Sequence, residues 1–181
     1  WTETNPPTFT ACAETVQYCT VCGQIVNQAD IPAYQVSVQQ WNVTLGGDLR
    51  VTFYVNLDSR LLPAHTKIRI AAGENTATFP VTELTKTEDG CYAAYVHLVA
   101  AQMTDAIAVT VVQGEQESLP MVYSVRGYAD QVLQDDSMTA YHQLVKDMLH
   151  YGAATQSYFD YHCDDLADSG VSGWGDQDIP D

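Results

Sequence analysis

Between residues 34 and 125 apolar side chains recur at every second position, and beyond Val125 they recur every three or four. A period of two puts alternate residues on one face of a strand, whereas a period near 3.6 draws a stripe along a helix, so the chain must change architecture near Val125. Leu49, Val51, Phe53, Val55 and Leu57 alternate with Arg50, Thr52, Tyr54, Asn56 and Asp58. Ile68 and Ile70 alternate with Lys67 and Arg69, and Ala77, Phe79 and Val81 with Thr76, Thr78 and Pro80. Further runs cover 92–99, 106–112 and 119–125. An earlier run, Val36 to Leu45, switches its apolar face between Val38 and Trp41, which predicts a bulge near Gln39-Gln40. Glycine-bearing turns separate these runs, as at Gly73-Glu74-Asn75 and Glu88-Asp89-Gly90. Seven short strands so spaced predict a mainly β chain with C-terminal α, an immunoglobulin-like β-sandwich over 34–124.

The helical part, 125–165, divides in two. Val125, Tyr128, Ala129, Val132 and Leu133 mark a short helix, and Asp135, Asp136 and Ser137 offer an N-cap for a longer one. In the longer helix Tyr141, Leu144, Val145, Met148, Gly152, Thr155 and Phe159 fall within one stripe, expected to face the core. Gly152 lies at the centre of that stripe, where a missing side chain lets a neighbouring element approach. Tyr151, Tyr158 and Tyr161 form a second strip beside it; Tyr151 and Tyr158 are expected to pack against the preceding helix or the sheet, with contacts to sugar rings or a protein partner as the alternative. Tyr54 and Tyr95 fall on the polar faces of their strands. The stretch 166–181, rich in Gly and Asp, reads as a linker.

Residues 1–33 form a small polar module with Cys12, Cys19 and Cys22 and few apolar residues of its own, so it needs a staple. The segments around Thr15 to Cys19 and Gln24 to Gln28 could pair as a hairpin about Cys22-Gly23. The three thiols suit either a structural zinc site, since Zn²⁺ favours thiolates and Cys19-x-x-Cys22 supplies two from one turn, or a disulfide between two of them. Cys91 and Cys163 could form a bridge pinning the long helix to the sandwich, or be two unrelated buried thiols.

With 7 Lys and Arg against 23 Asp and Glu, the formal charge is -16, which repels a phosphate backbone or an anionic lipid surface and excludes nucleic acid as a partner. No run reaches the roughly 18 apolar residues that would span a bilayer, so no membrane insertion is expected. The chain opens on Trp1 with neither a Met start nor a signal peptide and is expected to be a piece of a longer protein. No nucleophile elbow, H-E-x-x-H or phosphate-cradling Gly-rich loop occurs. His65, His97, His142, His150 and His162 carry no ligand spacing, and His142 and His150 project off the apolar stripe into solvent.

The segments Gly47-Asp48-Leu49-Arg50-Val51-Thr52-Phe53-Tyr54-Val55, Tyr123-Ser124-Val125-Arg126-Gly127-Tyr128-Ala129-Asp130 and Leu144-Val145-Lys146-Asp147-Met148-Leu149-His150-Tyr151-Gly152-Ala153 resemble a module that recurs in large secreted and cell-surface proteins of Gram-positive gut bacteria. The resemblance runs from about Tyr34 to Leu166. It implies a β-sandwich followed by helices, an extracellular or cell-surface location and no catalytic activity. Residues 1–33 are similar to a short cysteine repeat that precedes such modules, keeping Cys19-Thr20-Val21-Cys22-Gly23 and Ile31-Pro32-Ala33. Phe9 stands where the repeat's first Cys falls, and Tyr34-Gln35 replaces its Leu-Gly-His. If that repeat holds zinc through three Cys and this His, the fourth ligand must here come from elsewhere.

The expectation is therefore a non-catalytic extracellular module, joined to other domains of the same chain and acting in adhesion, partner binding or as a spacer. The alternative is a glycan-binding module appended to a carbohydrate-active enzyme.

Overall fold

The computed structural model describes residues 2–3, 7–11, 13–18, 25–46 and 48–170. It is mainly β, with two C-terminal helices. Strands β1 (Thr2–Glu3), β2 (Ala13–Tyr18) and β3 (Ile25–Ile31) make a small antiparallel sheet, in the order β1-β2-β3. Cys12, Cys19 and Cys22, and with them the choice between zinc and a disulfide, lie outside the described residues.

The main body contains β4 (Val36–Leu45), β5 (Leu49–Leu57), β6 (Thr66–Ala72), β7 (Asn75–Pro80), β8 (Tyr92–Leu98), β9 (Ile107–Gln113), β10 (Gln116–Glu117) and β11 (Met121–Tyr123). One antiparallel sheet has the order β4-β5-β8; the other runs β10-β9-β6-β7, with β11 also paired to β9. That is one strand more than the periodicity predicts, because two-residue β10 is too short to display a period. Alternation does the sorting: Leu49, Val51, Phe53 and Val55 of β5, Ala94, Val96 and Leu98 of β8, Ile68 and Ile70 of β6, and Ile107, Val109 and Val111 of β9 are all buried in one shared core. Each large side chain so buried contributes about 1.5–3 kcal/mol.

The face switch in β4 is a bulge. Val38 pairs with Val55 and Gln40 with Tyr54, leaving Gln39 without a cross-strand partner. Past it, Trp41 stacks on Phe53 at 5.9 Å between ring centroids and meets Tyr123 and Tyr128 at 5.1 Å each. This cluster carries α1 (Val125–Gln134) onto the sheets, and burial raises the Tyr123 phenol above its ordinary pKa.

Ser124 caps α1, its hydroxyl accepting from Gly127 N at 3.0 Å. The cap expected for the long helix instead serves a 3-10 turn, Asp136–Tyr141, with Asp135 Oδ1 accepting from Ser137 N at 2.8 Å. Helix α2 (His142–Phe159) follows it and ends at Asp160 in a left-handed conformation, φ 51°. The stretch after α2 turns back along the helix. Gln156, fully buried, receives Ala167 N on Oε1 at 2.7 Å and donates from Nε2 to Asp165 O and Thr104 Oγ1, both at 3.1 Å. Ala167 is itself buried, so the beginning of the stretch read as a linker is packed against the body.

Candidate functional site

Helix α2 buries only part of the stripe that its sequence draws. Val145, Met148 and Gly152 are buried as expected, together with Leu149, Ala153 and Gln156 from one flank. Tyr141, Leu144 and Phe159 are exposed, at 55%, 54% and 67%. The covered face is thus turned by about 60° from the apolar one. Tyr151 and Tyr158 are exposed as well, which overturns the expectation that they pack on the preceding helix or the sheet.

What sets the turn is contact around Gly152. A Cβ there would stand 2.5 Å from Met103 Sδ and 3.3 Å from both Ala100 O and Ala167 Cβ. The segment after β8 therefore meets the helix backbone directly, and the returning 165–167 stretch closes the other flank. The remaining apolar flank faces the β4–β5 turn across an open groove.

That groove consists of two adjoining hollows of about 510 and 490 Å³. The first lies between Leu45, Val99, Leu144, Tyr151 and Phe159, floored by Leu98 and Met103. The second lies between Val43, Tyr128, Met138, Tyr141 and Leu144. Leu45, Leu144 and Met148 belong to both, so the two form one apolar trough beside α2. From Tyr141 to Phe159 it extends about 27 Å at 1.5 Å per residue. Its charged lining residues are Asp48 and Asp147, both acidic. All seven Lys and Arg of the chain are described, and none lines it.

A third hollow, of about 560 Å³, lies at the bulged end of the β4-β5-β8 sheet and is polar, between Gln39, Gln40, Tyr54, Asn56, Thr87 and Asp89.

The cysteines of the body are not bridged. Cys91, buried, immediately precedes β8 beside this polar hollow; Cys163, exposed, follows α2. The Cys163 sulfur lies 3.6 Å from Gln156 O and from Asp160 Oδ1 at the C-terminal end of α2, whereas Cys91 lines the polar hollow, and both thiols are free, so the bridge expected between them is not formed. Loss of water around the Cys163 sulfur, with the Asp160 carboxylate beside it, raises that thiol above its ordinary pKa. Three histidines face aspartates: His97 contacts Asp48, His150 stands 3.5 Å from Asp168, and His162 stands 3.8 Å from Asp105. Asp105 is buried and accepts from Tyr161 OH at 2.7 Å, which raises the Tyr161 pKa. Among the described residues no group of three or more His, Cys, Asp or Glu is placed to hold a metal, and no helix is long and apolar enough to cross a membrane.

The trough was half legible in sequence. The apolar stripe and the tyrosine strip beside it are plain in the sequence of α2, but which part stays open depends on Leu45 and Val99, 99 and 45 residues before Leu144. Comparison with known protein families, curated proteins and solved structures finds no match for this chain.

Proposed function

We propose that this chain is a non-catalytic, immunoglobulin-like β-sandwich module of a larger extracellular or surface protein, and that it binds a partner protein through the trough beside α2. The observation that carries the reading is the exposed apolar flank of α2 opposite Leu45 and Val99. An open strip of Leu, Tyr and Phe along a helix is a recognised docking geometry, taking apolar anchors at helical or extended spacing. The acidic lining and the net charge of -16 favour an occupant with apolar anchors flanked by Lys or Arg, and disfavour a second, equally acidic copy.

The test is selection of a phage-displayed random peptide library on the wild-type protein, with counter-selection on Leu144→Glu. Enrichment of peptides with two or more apolar anchors beside Lys or Arg, lost on Leu144→Glu, is expected. Enrichment indifferent to Leu144, or none at all, overturns the reading, as does a concentration-dependent dimer that Leu144→Glu dissolves.

A further inference from the structure

At the opposite end of the β4-β5-β8 sheet from α2, the geometry points to a second binding site: we propose that the polar hollow around Tyr54 takes a neutral oligosaccharide. This inference does not depend on the trough.

The hollow owes its shape to the bulge. Because Gln39 is the extra residue between the Val38/Val55 and Gln40/Tyr54 pairs, two consecutive glutamines are exposed at one place on the edge strand. Gln40 lies directly opposite Tyr54 on β5, and Ala93 lies opposite Tyr54 on β8. The small alanine leaves the side of the Tyr54 ring away from Gln40 uncrowded by a cross-strand neighbour. Two residues further along β5, Asn56 adds another amide to the same outer face. The turn 87–91 walls the hollow. It is braced internally, Thr87 N donating to Cys91 O at 2.8 Å, Cys91 N to Thr87 Oγ1 at 3.1 Å and Gly90 N to Thr87 O at 3.0 Å, and it brings Asp89 to the rim. The Gln39 amide is oriented by donating to Ser37 Oγ at 2.7 Å, and the Tyr54 hydroxyl lies 3.5 Å from Asn42 Nδ2.

The chemistry of this lining selects the ligand. Side-chain amides offer a donor and an acceptor side by side, which matches neighbouring sugar hydroxyls that both donate and accept. A half-exposed tyrosine presents a flat apolar face for the C–H side of a sugar ring. No Lys or Arg lines the hollow and its one carboxylate is Asp89, so phosphate, sulfate and uronate groups find no counter-charge there. A peptide added to the β4 edge is disfavoured at this spot, because the bulge breaks the run of evenly spaced edge groups that strand addition requires.

The experiment applies the whole chain to a printed array of neutral, sialylated and sulfated glycans, followed by titration calorimetry with the best-binding neutral glycan. Wild type is expected to bind neutral glycans. Tyr54→Ala should weaken binding at least about tenfold, and Gln40→Ala and Asn56→Ala several-fold each, while Tyr54→Phe retains most of it. Tyr151→Ser, in the trough, should change nothing. Each variant is checked for native thermal unfolding, and if Tyr54→Ala does not fold, Gln40→Ala and Asn56→Ala decide. No binding up to about 1 mM, a preference for anionic glycans, or binding indifferent to Gln40 and Asn56 overturns the proposal. Loss of peptide capture by Leu144→Glu with glycan binding intact would leave the two sites separately established.

Discussion

Arg60 grips Asp58 side-on, with Nε donating to Oδ1 at 2.8 Å and Nη2 to Oδ2 at 2.5 Å. The same guanidinium donates from Nη1 to Pro32 O at 2.7 Å and from Nη2 to Ala33 O at 3.1 Å, and Asp58 Oδ2 also accepts from Gln35 N at 3.0 Å. Arg60 lies over the Tyr34 ring, which meets Phe9 edge-on at 5.6 Å. The passage from the N-terminal sheet into the body, residues 32–35, is therefore clamped by one ion pair at the end of β5.

The clamp makes stability depend on pH. The Arg60 side chain holds the Asp58 carboxyl well below the usual carboxylate range. A lowered pKa in the folded state adds stability that is complete above the unfolded value, about 3.9, and is lost as pH falls toward the folded one. Asp58→Asn should cost about 1.5–3 kcal/mol at pH 7, with the gap to wild type narrowing below about pH 4. Urea unfolding at pH 7 and pH 3 measures this. An equal gap at both values would remove Asp58 as the source.

Neighbouring positions on α2 should respond in opposite ways. Leu144→Glu adds a charge to an exposed site and should shift stability by no more than about 0.5 kcal/mol. Val145→Glu puts an unpaired carboxylate at a residue only 7% exposed and should cost more than about 3 kcal/mol. Thermal unfolding of the two proteins compares them directly, and similar losses would mean that the trough is closed.

Gly152 sets two effects against each other. Alanine improves helix propensity by about 1 kcal/mol, but overpacking costs about 1–3 kcal/mol. Met103 Sδ is flexible, whereas Ala100 O is backbone, so Gly152→Ala should be mildly destabilising and Gly152→Leu severely so. Combining Gly152→Ala with Met103→Ala should cost less than the sum of the single changes, which a double-mutant cycle reads. Strict additivity would show that the two residues do not touch.

The two body cysteines should label separately. Iodoacetamide should modify Cys163 in the native protein, slowly because its thiol is held protonated, and Cys91 only after denaturation. Mass-spectrometric peptide mapping checks this, and a peptide linking Cys91 to Cys163 would contradict it.

Strand positions, the Gln39 bulge and the switch to helix near Val125 were written in local alternation, because a strand or helix sorts its residues by a period visible within a few positions. Even the close approach at Gly152 could be read from a glycine at the centre of an apolar stripe. The site could not. Periodicity states which residues of α2 are apolar, but Leu144 and Val145 differ in burial only through what lies across from them: Leu45, Val99, Met103 and the returning Ala167. The polar hollow likewise joins Gln40, Asn56 and Asp89 from three separate segments. Those juxtapositions depend on how sheets and helices pack, which is a property of distances between segments remote in sequence, and a local pattern carries none of them.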